Sequence, residues 1–277
     1  MQKSILPIVA TFLLVVITYS AKTHALESDN PLSVQHNQID VTDDFQLPQM
    51  VNIPGGAARM GCVSDLGCMR FEKPVHNVSL RSFEISKYEV TFQQWDLCVA
   101  KGGCDYIPDD SGWGRGLRPV VNVSWDDIQI YIEWLNQESG KQYRLPTEAE
   151  WEHAARAGSP APYHWGSEIG DNNANCDGCG SQWDDKKTAP VGAFNANAWG
   201  VHDMHGNVYE WVQDCWNSSY RGAPDNGASW DSGDCSKRVL RGGAWSSSAQ
   251  YIRVAIRYNG DKDYRGDIRG FRLARTL

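Results

Sequence analysis

From Gly158 to the C-terminus the chain shows no long run at either the helical or the strand period, and this limits its fold more than any other property. The stretch is instead rich in Gly, Asn, Asp and Trp, with short apolar pieces between turn residues. The whole chain carries 12 Trp and 26 Gly. Large aromatics can fill a core without regular ladders, and glycines permit the tight turns between them. A stretch of about 100 residues without regular elements is uncommon in a compact domain and needs another source of order, such as disulfides, bound metal or buried Trp.

The first half is more regular. Met50-Val-Asn-Ile-Pro54 and Val75–Leu80 alternate like the strands of a half-buried hairpin, and Phe83–Val90 reads as a further strand. Thr91-Phe-Gln-Gln94 is a capping box that predicts a helix ending before Gly102-Gly103. Ser124-Trp-Asp-Asp127 opens a second helix, with Ile128, Tyr131, Ile132 and Leu135 on one face and Gly140 past its end. Thr147-Glu-Ala-Glu150 opens a third, stopped by Gly158.

Residues 1–25 carry Lys3, an apolar run from Ile5 to Tyr19 and a small-residue site at Thr23-His24-Ala25. This predicts a secretory signal peptide, too short for a membrane span, and hence a periplasmic or secreted product. Residues 26–47 read as a polar lead-in and 48–277 as one domain. Removing residues 1–25 would delete Lys3 and Lys22 and no acid, taking the net charge from -8 to -10. An acidic surface disfavours nucleic acid and anionic membranes as partners.

The eight cysteines fall as four local pairs: Cys62/Cys68, Cys98/Cys104, Cys176/Cys179 and Cys215/Cys235. In an exported chain an even count reads as disulfides. For Cys176-Asp-Gly-Cys179 the competing readings are half a zinc site or a redox dithiol, and no second pair nearby completes a tetrahedral site.

Several segments occur in a telling order: Ile53-Pro-Gly-Gly, Glu72-Lys-Pro-Val-His-Asn-Val, Tyr88-Glu-Val-Thr91, Pro119–Trp125 and Arg144-Leu-Pro-Thr-Glu-Ala-Glu-Trp-Glu-His-Ala-Ala-Arg156. Thr188-Ala-Pro-Val191, Asp203-Met-His-Gly-Asn-Val-Tyr-Glu-Trp211, Arg241-Gly-Gly-Ala-Trp245 and Gly270-Phe-Arg272 complete the set. Across residues 50–277 the chain resembles the formylglycine-generating enzyme (sulfatase-modifying factor) family. The resemblance implies an α+β, irregular, C-type-lectin-like fold with little regular structure. It also implies a structural Ca²⁺ held by Asp203, Glu210 and the carbonyls of Gly206 and Val208. Hard oxygen ligands on a tight turn suit that ion; the plainer reading has Asp203 capping a turn and Glu210 pairing with an arginine. A second, weaker Ca²⁺ set would use Asn175, the carbonyl of Cys176, and Asp184 or Asp185.

The family's copper oxidases hold Cu(I) on two cysteines, and the matching positions here are Ser247 and Ile252. Neither side chain is a soft ligand, so copper-dependent formylglycine formation is not expected, and the catalytic residues remain unassigned. His202 and His205 suggest an iron centre as in another branch, but no further histidine (His76, His153, His164) sits in that branch's motif. A ligand groove for a peptide, protein or small molecule is expected near Trp211, Trp245, Ser247, Tyr251, Arg253 and Arg257. The surface around it includes Tyr258 and Tyr264, with Arg241, Arg265 and Arg269 as further arginines between the small residues. Tyr, Ser, Gly and Asp suit adaptable binding surfaces. Three functions follow from the resemblance: a binding or maturation accessory without copper, a metal-dependent oxidoreductase, or a diversified receptor-binding protein.

Overall fold

A computed structural model describes residues 47–63 and 67–277. The expected export segment at 1–25 and nearly all of the lead-in at 26–47 lie outside the described residues. The three capping boxes form as read. Thr91 Oγ1 accepts from Gln94 N while Gln94 Oε1 accepts from Thr91 N, opening α1 (Phe92–Ala100). Ser124 and Asp127 do the same for α2 (Trp125–Ser139), which ends at Gly140 with φ 65°. Thr147 and Glu150 open α3 (Glu148–Arg156), capped by left-handed Ala157 one residue before the expected stop. None of the helices among the described residues is long and apolar enough to cross a membrane.

Strands pair differently from the expectation. β1 (Met50–Ile53) lies antiparallel to β4 (Phe83–Ser86), whereas β3 (His76–Leu80) pairs with an unforeseen strand, β2 (Gly56–Met60). The expected hairpin of β1 with β3 therefore does not form: only Pro54 and Gly55 separate β1 from β2, and β2 takes the place beside β3. β4 continues through β10 (Ala274–Thr276) to β5 (Tyr143–Arg144), so the C-terminus is stitched into the N-terminal sheet.

The region after Gly158 also holds more regular structure than its pattern suggests. β6 (Tyr209–Trp216) and β7 (Asp234–Arg241) are eight residues each and run antiparallel. β8 (Arg257–Asp261) flanks β7, and β9 (Arg269–Phe271) lies parallel to β6. The fold is mixed α+β, as expected. Its largest core cluster gathers Trp95, Tyr131, Trp134, Trp211 and Phe271 between α1, α2 and the β6 sheet.

All four cysteine pairs are joined as disulfides, with the partners read from the sequence. Cys62–Cys68 closes the loop after β2. Cys98–Cys104 ties the last turn of α1 to the segment that follows it, with both sulfurs inside the largest core cluster. Cys176–Cys179 is a disulfide, which removes the half-zinc and free-dithiol readings of that motif. Cys215–Cys235 cross-links β6 to β7 where their register shifts.

Five arginines are buried in this core with their acids. Arg257 Nε and Nη2 donate to the two Glu148 oxygens at 2.6 and 2.7 Å, and its Nη1 donates to the carbonyls of Phe71 and Asn217. Arg241 Nη2 lies 2.5 Å from Glu152, which also pairs with Arg156. Arg253 meets Glu72 at 2.8 Å, and Arg272 grips Glu210 through Nε and Nη2 at 2.6 and 2.7 Å. Removing one partner of such a pair strands a charge in the core. Arg257→Met should therefore destabilise by about 3–5 kcal/mol. Lys262→Ala, which breaks the exposed pair with Asp126, should cost under about 1 kcal/mol. Urea denaturation of both variants measures the contrast; equal losses would show that the buried frame is not what holds the core.

Candidate functional site

The two positions expected to carry cysteines sit on either side of a tight turn. Ser247 N donates to Ala244 O, and Ser247 Oγ accepts from Ala244 N at 3.1 Å. Burial pushes up the Tyr209 hydroxyl, and Ser247 moderates that shift. Ile252 is fully buried and packs with Tyr163, Ala174 and the Cys176–Cys179 disulfide. A hydroxyl already engaged in its turn and a buried butyl group give Cu(I) no soft donor, and the nearby sulfurs are bonded to each other. The chemistry of this donor set does not fit copper.

Above that turn the β6 sheet presents an aromatic face. Tyr209 and Trp211 are two apart on β6 and point the same way. Tyr258 of β8 packs 5.7 Å from Tyr209, and the Arg269 guanidinium lies over the rings of both Trp211 (5.4 Å) and Tyr264 (4.4 Å). A side chain at Gly260 would strike Trp211 and Arg269, so this glycine lets the arginine lie flat on the indole. Arg269 Nε and Nη1 are buried without an acceptor among the described residues, and burial lowers its pKa. Trp245 donates from Nε1 to Asp267 O and takes Trp113 edge-on at 5.2 Å. Tyr251, Tyr258 and Tyr264 are exposed by 37, 50 and 54%.

The expected groove is thus partly reassigned. Trp245, Ser247 and Tyr251 reach the surface, but Trp211 is fully buried and forms the floor under Arg269. Arg253 and Arg257 do not face a ligand: both are buried in pairs with Glu72 and Glu148. Tyr209 and Trp113 were not foreseen. The two-residue spacing of Tyr209 and Trp211 was the available signal for the first; nothing in the sequence placed Trp113 on Trp245.

The metal expectations meet specific obstacles. Both Glu210 oxygens are taken by Arg272, and Oε2 also accepts from Trp151 Nε1 at 2.7 Å. The plainer reading of Glu210, a pairing with an arginine, is therefore present, and a buried guanidinium lies beside the set Asp203, Gly206, Val208 and Glu210 that was expected to hold calcium. In the second set, Asn175 Oδ1 accepts from Ser181 and Asp184 Oδ2 from Gly180 N, while Asp185 is exposed. Asp184 Oδ1 is buried with no hydrogen-bond partner among the described residues. His205 has no lone pair to offer iron: Nδ1 lies 2.7 Å from Ile252 O and Nε2 accepts from His164 N. Burial, then His164, hold it neutral with a pKa of about 3. His202 Nδ1 is bound to Phe194 O. Among the described residues one trio of metal-type side chains converges, Cys62, Cys68 and Glu72, but its sulfurs form a disulfide and its acid pairs with Arg253.

The sulfatase-modifying factor enzyme 1-like domain model matches residues 36–277. The chain is 33% identical over 253 residues to the serine/threonine-protein kinase pkn1 of Chlamydia pneumoniae, covering 83% of this chain and 38% of the kinase. It thus spans about two fifths of that relative. It is 31% identical to the formylglycine-generating enzyme of Thermomonospora curvata, covering 83% of this chain and 97% of that one. The inactive C-alpha-formylglycine-generating enzyme 2 of Bos taurus is 30% identical, with 83 and 88% covered. Among solved structures, PvdO from Pseudomonas aeruginosa superposes with a TM-score of 0.76 at 36% identity, covering 83% of this chain and 95% of PvdO. Treponema denticola variable protein 1 gives 0.67 at 27%, with 82 and 95% covered.

One buried polar group has no counterpart in the sequence expectations. Glu89 and Asp203 form a carboxyl pair in the core. Glu89 Oε1 accepts from Asn207 Nδ2 and Asp203 Oδ2 from Gly192 N, while Glu89 Oε2 and Asp203 Oδ1 have no other hydrogen-bond donor among the described residues. Burial and then the Asp203 charge push Glu89 well above the usual carboxylate range; burial also raises Asp203. A proton held between the two acids would satisfy both orphan oxygens, in keeping with the upward shift of both groups. Because the folded state holds this proton more tightly than the unfolded chain, its stabilisation is complete at acid pH. It is lost as pH rises through the raised value. Glu89→Gln keeps the Asn207 bond and places an amide donor towards Asp203. The variant should gain about 1 kcal/mol over the native protein at pH 8 and little at pH 4, by urea denaturation. An equal effect at both pH values would remove the shared proton. EDTA should leave the native melting temperature unmoved; a fall would restore a structural calcium.

Proposed function

The chain belongs to the sulfatase-modifying factor enzyme 1-like family, and from that premise we propose that it is an exported binding member without copper-dependent cysteine oxidase activity. The observation that carries this reading is the pair Ser247 and Ile252, one locked in a turn and the other buried on a disulfide. Export is supported by the pattern of residues 1–25 and by four disulfides, which persist in oxidising compartments. A relative named as an inactive formylglycine-generating enzyme supports this reading.

The ligand is a peptide or small molecule held on the face of Tyr209, Tyr251, Tyr258, Tyr264, Trp245 and Arg269. Tyrosines give rigid contact area at low entropic cost, and unsatisfied Arg269 donors favour an acceptor-rich group such as a carboxylate or peptide carbonyl. An accessory role in the maturation of another molecule fits such a face.

Two measurements test this. Supplied with Cu(I), O₂ and a cysteine-containing sulfatase-type peptide, the protein should yield no aldehyde by mass spectrometry and retain no stoichiometric copper. Formylglycine product would overturn the reading. Peptides selected from a displayed random library against the native chain should bind a Tyr258→Ala/Tyr264→Ala variant about tenfold more weakly. Peptides that bind both proteins equally would move the ligand to another face.

A further inference from the structure

Arg70, Lys73 and Arg221 line one cavity of about 640 Å³ together with Cys68, Pro74 and Ser219. No carboxylate among the described residues lines it. All three cationic side chains are exposed, and none is paired with an acid among the described residues. This is unexpected on a chain with 34 acids against 26 bases. Like charges around one concavity repel, and on so acidic a surface a random cation usually has a carboxylate neighbour.

The walls are fixed rather than loose. The Arg70–Glu72 turn is pinned by the buried Glu72–Arg253 pair and by the Cys62–Cys68 disulfide. Tyr220 N donates to Lys73 O at 2.8 Å, tying the wall that bears Arg221 to the wall that bears Arg70. Arg257 Nη1 bridges the same two walls from below through Phe71 O and Asn217 O. The backbone that carries the three charges is thus held about one space by internal bonds, and no acid among the described residues neutralises them.

Two guanidinium forks and one ammonium suit a tetrahedral oxyanion of charge near -2: the forks bind bidentately and the ammonium acts as a point charge. The space exceeds one such ion and lies within the range of small-molecule sites. We propose that this cavity binds the phosphate or sulfate group of a small anionic molecule. It shares no residue with the aromatic face, so the two assignments stand or fall separately.

Inorganic phosphate, sulfate, citrate and chloride serve as probes, each titrated into the native full chain by calorimetry at constant ionic strength. Phosphate or sulfate should give a saturable isotherm, and which of them binds identifies the ester class. Arg70→Gln, Lys73→Gln and Arg221→Gln should each weaken it about threefold, and the triple variant more than tenfold. Arg59→Gln, on β2 outside the cavity, should bind like the native chain. Melting curves establish that the triple variant is folded, which its exposed positions allow. An isotherm unchanged in the folded triple variant overturns the site. A response that chloride reproduces reduces the effect to screening and overturns it equally. Citrate binding as tightly as phosphate and sulfate overturns the tetrahedral class.

Discussion

The pairing of Glu148 with Arg257 organises this molecule. Glu148 is the first residue of α3, and Arg257 is the first of β8, so one buried ion pair joins the third helix to the last sheet across 109 positions. Tyr220 adds a hydroxyl donor to Glu148, and the guanidinium packs on the Tyr220 ring at 4.1 Å. The remaining Arg257 donors take two loop carbonyls that no strand or helix satisfies. A fold with long irregular connections leaves many backbone acceptors in its interior, and each needs a donor. Arginine supplies five donors in a rigid fork, which is why this core is built around arginines as well as aromatics.

That demand decides what the family-like motifs do. In Arg241-Gly-Gly, the arginine serves Glu152 and the carbonyls of Val254, Ala255 and Ile256. In Gly-Phe-Arg272, it serves Glu210, Ser86 O and His202 O. These residues maintain the frame. The surface chemistry is left to residues between the motifs: Tyr251, Tyr258, Tyr264 and Arg269.

Legibility in the sequence followed the same division. The three helices were readable because each begins with a local side chain-to-backbone exchange spanning three residues. The disulfides were readable because their partners lie close in sequence: Cys104 follows Cys98 by six positions, and even Cys235 lies only 20 beyond Cys215. β6 was not readable, because its first seven residues lack an in-out alternation: all are buried except Gln213, which is partly open. The β2–β3 pairing was hidden because Gly56-Ala-Ala carries almost no strand signal. Glu210 shows what a motif leaves unsaid. Its partner Arg272 lies 62 positions away, and no local pattern announces the contact. The same kind of separation concealed Glu89 beside Asp203.

Ile252 connects the missing metal to stability. A thiolate ligand at this position would have to stay polar and reachable. The butyl group instead fills a space between Tyr163 and the Cys176–Cys179 disulfide, while its carbonyl fixes the tautomer of His205. Burying an aliphatic side chain of that size contributes about 1.5–3 kcal/mol. At this position the side chain serves packing, while Ser247 keeps the turn closed by an oxygen-accepted hydrogen bond. Restoring sulfur at Ser247 alone would recover half a donor pair facing a closed apolar wall. A reachable second thiolate there would require reopening the packing around Ile252, against the stabilisation that now closes it.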